Sequence, residues 1–101
     1  MTASIDLDSY GFRVAKRHSK TGEPTQFFIM IRPGTRVYIK RCLREGRPSW
    51  RVEWTKGYRK TGWPDLGKRY FTIESVAKSW ILINRAKFPN AVKLRKAKFN
   101  A

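Results

Sequence analysis

The sequence predicts a small α+β domain, in which an antiparallel β-sheet of three core strands plus an N-terminal hairpin packs on one C-terminal α-helix, followed by a basic tail. Two segments alternate apolar and polar residues with the period of a half-buried strand, and a third follows the helical period. At 101 residues the chain has room for one domain. Within this single domain, 1–101, we expect a hairpin at 10–35, a sheet-plus-helix core at 36–88 and the tail at 89–101.

The N-terminal hairpin is predicted from two strand-like segments separated by turn residues. Residues 10–14 alternate apolar and polar side chains, and residues 19–24 are rich in turn formers. The segment Gln26–Ile31 is a mostly apolar run of β-formers, which is typical of a strand covered on both faces.

The three core strands are predicted at Arg36–Cys42, Ser49–Thr55 and Lys68–Phe71, because the first two alternate strictly and the third is a short run of β-formers. A turn and a longer loop containing glycine and proline separate them. The apolar positions that share one face are Val37, Ile39, Trp50, Val52 and Trp54.

The C-terminal helix is predicted to start at Thr72, whose hydroxyl suits an N-cap, and to stop before Pro89. Glu74 in the first turn suits the positive end of the helix dipole. Ile81 and Leu82 lie off the main stripe, so we expect them to touch the N-terminal hairpin or a partner. The stripe consists of Ile73, Val76, Ala77, Trp80, Ile83 and Asn84.

The charge balance indicates a binding protein with an anionic partner. Lys and Arg number 23 against 7 Asp and Glu, so the formal net charge is +16, which self-repels in a compact chain. The chain has one His, His18, and one Cys, Cys42, and no spacing typical of a zinc site or a disulfide. We therefore expect a protein that is not an enzyme, binds no cofactor or metal, and resides in a reducing, intracellular setting.

The apolar segments are too short to cross a membrane, the longest being Phe27–Ile31 and Trp80–Ile83. Residues 1–9 are acidic and lack the charged and apolar regions of a signal peptide. We expect a location in the cytoplasm or at a host-cell nucleoid, without a membrane partner.

The sheet face that the helix leaves uncovered is the candidate binding surface, because it must meet solvent or a ligand. A twisted sheet about three strands wide, bearing Arg, Lys and Thr, fits the major groove of a duplex. There Glu53 either accepts from a cytosine amine or orients Arg51 by a charge-assisted hydrogen bond. Tyr38 and Trp63 are the candidates for stacking or groove contacts. The candidate nucleic-acid-binding residues are Arg36, Tyr38, Lys40, Arg51, Glu53, Thr55, Arg59, Lys60, Lys68, Arg95, Lys96 and Lys98.

Three segments carry a resemblance to known DNA-binding families: Ser49–Trp54, Lys68–Phe71 and Ile73–Ala77. Over roughly residues 36–88 the chain resembles the N-terminal arm-site DNA-binding domain of phage integrases and the plant ethylene-response-factor DNA-binding domain. Both families have a three-stranded sheet backed by one helix, with an aromatic-x-Val motif in the second strand. Both also have a Phe six residues before an Ala at the strand-to-helix junction, as Phe71 and Ala77 are here.

The resemblance implies that the sheet enters the major groove and that outward strand residues touch bases and phosphates. The positions that it carries over are Lys40, Arg51, Glu53 and Lys68. It further implies a protein from a phage or mobile element, either a stand-alone chain or an excised domain.

Three functions follow as hypotheses from the charge and the sheet. The first is binding of double-stranded DNA through the exposed sheet face, with the basic tail on phosphates. The second is binding of structured RNA, as in a ribosome-associated protein. The third is a small phage-type inhibitor of an acidic or nucleic-acid-handling host protein, which the apolar residues Ile81 and Leu82 and the strand Phe27–Ile31 would serve.

Overall fold

The computed structural model describes residues 11–99, and of residues 97–99 it describes the backbone alone. Five consecutive strands form one sheet, and the helical elements follow them in the chain. The elements are β1 (Arg13–Arg17), β2 (Pro24–Arg32), β3 (Thr35–Arg44), β4 (Arg47–Tyr58), β5 (Pro64–Phe71), α1 (Glu74–Asn84), a 3-10 turn (Arg85–Lys87) and α2 (Ala91–Phe99).

The five strands form one antiparallel sheet in the order of the sequence, which confirms the predicted α+β class. The N-terminal hairpin belongs to the same sheet as the core strands, because β2 pairs with β3 along most of its length. β1 is the short edge strand on that side, and two register shifts interrupt its pairing with β2.

The strand register confirms the predicted alternation in β3 and β4. Ile39 lies opposite Val52, and Lys40 lies opposite Arg51, so the apolar positions of neighbouring strands share one face and the cationic positions share the other. The helices cover the apolar face. The buried core consists of Phe12, Phe27, Ile29, Val37, Ile39, Val52, Ala77, Ile81 and Phe88.

The prediction that β2 is covered on both faces is wrong. Phe27 and Ile29 are buried against the helices, whereas Met30 on the other face is 47% exposed. Phe28, also on the other face, is shielded by the side chains of neighbouring strands, since the Arg36 guanidinium lies 4.9 Å from its ring centroid. The apolar residues of β2 thus have two uses: Phe27 and Ile29 pack on the core, and Phe28 on the opposite face contacts the Arg36 guanidinium.

The start of α1 also differs from the prediction. Ile73, not Thr72, is the N-cap residue, and its side chain makes no capping hydrogen bond. Glu74 does lie in the first turn, where its carboxylate suits the helix dipole and pairs with Lys78 at 3.1 Å.

The buried face of α1 lies to one side of the predicted stripe. Ile81, expected off the stripe, is fully buried, and Ile83, expected on it, is 80% exposed. Lys78 also lies on the buried side of α1 and is only 6% exposed. Its ammonium group lies 3.9 Å from the centroid of the Phe27 ring, so the helix can turn this residue inward.

The segment predicted as a basic tail contains α2. The Arg32 guanidinium fixes the chain before it by donating to the carbonyls of Phe88, at 3.0 Å, and Arg85, at 3.3 Å. The Ala91 N–H donates to Thr35 Oγ1 at 3.1 Å, which attaches the start of α2 to the first residue of β3. The second helix thus begins on the same side of the sheet as the core.

Candidate nucleic-acid interface

The sheet face opposite the helices, named the outer face here, is rich in cations. Within the described strands its one acidic side chain is that of Glu53, which is only 4% exposed. The outer face therefore presents a strongly positive surface with its single negative charge recessed. By strand register, its cations are Arg13, Lys16, Arg36, Lys40, Arg44, Arg47, Arg51 and Lys68.

The structure brings most of the predicted site residues together on this face. Arg59 and Lys60 lie in the exposed turn between β4 and β5. Arg95 and Lys96 lie on α2, on the other side of the sheet, and are not brought together with the outer face. Lys98 falls outside the side chains that the structure describes. The residues on the outer face are Arg36, Tyr38, Lys40, Arg51, Glu53, Thr55 and Lys68.

A hydrogen-bonded network is centred on the Glu53 carboxylate in the central strand β4. Arg51 Nε donates to Glu53 Oε1 at 2.8 Å. Lys40 Nζ, on β3, lies 3.4 Å from Oε1 and 3.5 Å from Oε2 of the same carboxylate. One buried carboxylate thus holds two cations from adjacent strands by charge-assisted bonds.

The Arg51 guanidinium is held by its hydrogen bond to the Glu53 carboxylate. Burial lowers the pKa of Arg51, but the attraction of Glu53 and the hydrogen bond to it, with a contribution from the neighbouring Tyr70, more than offset this and raise the pKa above its ordinary value. The group is therefore permanently charged. A guanidinium has five N–H donors, so donors remain for a ligand after the Nε bond to Glu53 is made.

Aromatic rings on the outer face support the cations. The Arg44 guanidinium lies 4.4 Å from the centroid of the Tyr70 ring, and Lys40 Nζ lies 5.7 Å from that of Tyr38. Phe28 lies beside Tyr38, with 6.2 Å between the ring centroids, and carries Arg36 on its face. A guanidinium held against a ring keeps its N–H edge available to an anion, because the ring occupies only its flat side.

A small concavity of about 130 Å³ lies in the middle of the outer face. Its lining includes the side chains that flank Glu53, and its volume is below the range typical of small-molecule sites. It suits a single group, such as a phosphate or the edge of a base. The lining residues are Arg36, Tyr38, Lys40, Glu53, Trp54, Thr55 and Leu66.

Sequence reasoning missed several residues of the outer face. Arg13 and Lys16 belong to it because β1 extends the same sheet, which the sequence does not reveal. Tyr70 also belongs to the outer face. It lies opposite Arg51, as Lys68 lies opposite Glu53, and the sequence does not determine this register of β5 against β4. Arg44 and Arg47 pair with each other at the β3–β4 turn, and extending the alternation by two residues would have found them.

The tryptophans separate into two groups. Trp50 and Trp54 pack against the core, as their parity predicts, and Trp54 meets Phe88 edge to face with 5.3 Å between centroids. Trp54 also lies against Gly67, where any side chain would collide with its indole. Trp63, in the turn between β4 and β5, is 72% exposed.

The single histidine and cysteine show no arrangement for chemistry. His18 is exposed in the turn after β1, where its Nδ1 accepts from the main-chain N–H of Lys20 at 3.1 Å. Cys42 is a half-buried free thiol. Across residues 11–99 no group of His, Cys, Asp or Glu is placed to hold a metal ion, and no helix is long and apolar enough to cross a membrane.

Comparison with known proteins gives no match, whether to a protein-family model, a curated protein or a solved structure. The geometry and charge of the outer face are therefore the basis from which a function is inferred.

Proposed function

We propose that this protein binds double-stranded DNA, with the outer face of its sheet in the major groove. The observation that carries the proposal is the Arg51–Glu53–Lys40 network at the centre of a broad cationic surface. Phosphate binding requires several Lys and Arg side chains on one face, and base reading requires a few whose geometry is fixed. The outer face has both.

The dimensions of the sheet suggest how it meets the duplex. Adjacent strands are about 4.8 Å apart, so five strands span roughly 19 Å, whereas the major groove is about 12 Å wide. Three strands fit the groove, and these are β3, β4 and β5, with β4 in the middle. In this arrangement the twist of the sheet carries β1 and β2 over one phosphate backbone, where Arg13 and Lys16 neutralise charge.

The network assigns separate roles to its members. Arg51 is proposed to read guanine through its terminal amino groups, since its Nε is already bonded. Glu53, whose oxygens face Arg51 and Lys40, is proposed to position these cations rather than to accept from cytosine. Lys40 and Lys68 then flank the base contact as phosphate ligands.

The proposal describes a binding protein and not an enzyme, acting in the cytoplasm or at a host-cell nucleoid, where duplex DNA is present. The resemblance of residues 36–88 to integrase arm-site domains favours an origin in a phage or mobile element.

The first test is fluorescence anisotropy with a labelled duplex pool, a single strand and an RNA hairpin, over salt from about 50 to 300 mM. The proposal predicts tightest binding to the duplex, with log Kd changing by about 0.9 per decade of salt for each phosphate contacted. Preference for the RNA hairpin would replace the proposal with structured-RNA binding. Absence of binding to all three ligands would replace it with an acidic protein partner.

A matched pair of charge reversals tests the face. Arg36→Glu lies on the outer face, and Lys87→Glu lies in the 3-10 turn on the helical side. Both remove the same net charge, and both positions are exposed. We expect roughly a tenfold or greater loss of duplex affinity for Arg36→Glu and a much smaller one for Lys87→Glu. Equal losses would contradict binding through the outer face.

A further inference from the structure

The turn between β4 and β5 is closed by main-chain hydrogen bonds and carries an exposed tryptophan. The Arg59 N–H donates to the Trp63 carbonyl at 2.9 Å, and the Gly62 N–H donates to the Arg59 carbonyl at 2.9 Å. Gly62 has φ +90°, a conformation that glycine adopts without strain. The Trp63 main chain is thus bonded across the turn to Arg59, while the Trp63 indole is 72% exposed.

The exposed indole forms one wall of an open cavity of about 330 Å³. The cavity volume falls within the range of sites that take small ligands. Its lining combines an aromatic surface, two cations and a carboxylate. The lining residues are Arg59, Trp63, Pro64, Asp65, Leu66 and Lys68.

This cavity adjoins the outer face. Leu66 lines both it and the central concavity around Glu53, and Lys68 belongs to the outer-face strand positions. A nucleic acid bound on the outer face would therefore pass beside Trp63.

Packing does not explain the exposure of Trp63. Burial of a large aromatic side chain is favourable, and the other tryptophans of the chain pack against the core. Within the described residues, no aromatic ring or cation covers the Trp63 indole. An uncovered aromatic surface beside two cations is the arrangement with which proteins stack a nucleic-acid base and hold its flanking phosphates.

We propose that the Trp63 cavity binds one unpaired base next to a duplex, an inference that rests on the proposed duplex binding. The indole stacks on the base, and Arg59 and Lys68 pair with the flanking phosphates. The Asp65 carboxylate accepts from an amino group of the base, and it repels any phosphate that would enter the cavity in place of the base. A base within an intact duplex cannot enter, because it is stacked between its neighbours. The preferred ligand is therefore a duplex with a bulged or unpaired nucleotide.

The test compares a fully paired duplex with the same duplex carrying a single unpaired 2-aminopurine. Binding of both is measured by anisotropy, and stacking on an indole is measured by the loss of 2-aminopurine fluorescence. The variants are Trp63→Ala, Trp63→Phe and, as a matched control, Leu43→Ala. Leu43 is 74% exposed on the neighbouring β3–β4 hairpin, so its replacement removes a similarly exposed apolar group.

The expected result is tighter binding of the bulged duplex by the unaltered protein, with strong fluorescence loss. Trp63→Ala should reduce affinity for the bulged duplex by roughly 5- to 100-fold and leave the paired duplex unaffected. Trp63→Phe should keep part of both effects, because a phenyl ring still stacks, and Leu43→Ala should behave like the unaltered protein.

Two results would overturn the inference. If the unaltered protein and Trp63→Ala bind the paired and bulged duplexes alike, the cavity is not a base site, and duplex binding by the outer face still stands. If neither duplex binds to the unaltered protein, the proposed function and this inference both fail. Because Trp63 is exposed, circular dichroism should show the same fold in all variants.

Discussion

Arginine and lysine occur on both sides of the sheet, and the two sides use them differently. On the helical side, the Arg69 guanidinium lies 5.1 Å from the centroid of the Trp80 ring, Lys78 lies over Phe27, and Arg32 donates to main-chain carbonyls. On the outer face, Arg44 also lies on a ring, that of Tyr70, but on a surface with no second layer over it.

The net charge of +16 is therefore not a uniform coating of the surface. On the helical side, Arg32, Lys78 and Arg69 serve the fold, since their charged groups are used within the protein. On the outer face, Arg51 and Lys40 share the Glu53 carboxylate, and under the proposed function their remaining donors contact DNA. Substitutions on the two sides should therefore separate stability from binding.

The largest expected effect is on stability, from Trp80→Ala. Trp80 contacts Trp54, Phe71 and Phe88 with centroid distances of 5.6 to 5.7 Å, and it supports Arg69. Its loss should lower the free energy of unfolding by about 3 kcal/mol, as measured by urea denaturation. DNA affinity of the folded fraction should be unchanged. A loss below about 1 kcal/mol would show that this cluster does not hold the helical side together.

The next effect is on binding, from Arg51→Lys, which keeps the charge and removes the planar guanidinium. Duplex affinity for the preferred sequence should fall by about 1–3 kcal/mol, and the preference for guanine at one position should relax, as selection from a random duplex pool would measure. Arg41→Lys, on the helical side and paired with Glu23 at 3.5 Å, is the matched control and should leave both unchanged. Retention of sequence preference by Arg51→Lys would show that Arg51 does not read a base.

Glu53→Gln is expected to have smaller effects on both stability and binding, because the Glu53 side chain is buried and holds two cations of the outer face. The amide keeps one acceptor oxygen but removes the buried negative charge and places an N–H donor beside Arg51 and Lys40, so the free energy of unfolding should fall by about 1–2 kcal/mol and duplex affinity should fall. Glu23→Gln removes an exposed ion pair and should change stability by less than about 0.5 kcal/mol. Equal effects of the two variants in urea denaturation would contradict the central role of Glu53.

The smallest effect compares single lysines on the two sides. Lys68→Ala should remove one phosphate contact and reduce the salt slope of duplex binding by about 1. Lys96→Ala, on α2, should change the slope little, because α2 begins on the helical side. A reduced slope for Lys96→Ala alone would mean that the duplex contacts the helices instead.

The sequence predicted the outer face at β3 and β4 because apolar and polar residues alternate strictly there. Once the apolar side chains are assigned to the core, the alternating polar side chains must lie on the opposite face. It did not predict the rotation of α1. Residues 80–83 are apolar on every side of the helix, and the cation–π contact between Lys78 and Phe27 depends on a strand that is distant in the chain. The sequence named Trp63 as a stacking candidate, but it did not predict the cavity that Trp63 lines, because the cavity depends on the register of β5 across a turn whose pairing shifts near Gly57.

The short, interrupted pairing of β1 has a consequence for the protein in concentrated solution. An exposed strand edge is a template for aggregation with other chains, and proteins protect it with bulges, charged side chains and proline. β1 combines two register shifts with Arg13, Lys16 and Arg17, and the opposite edge strand, β5, starts at Pro64 and carries two adjacent cations. Both edges thus discourage strand addition by a second copy, so that molecules brought close together, as the proposed function would bring them along DNA, can lie side by side without pairing their sheets edge to edge.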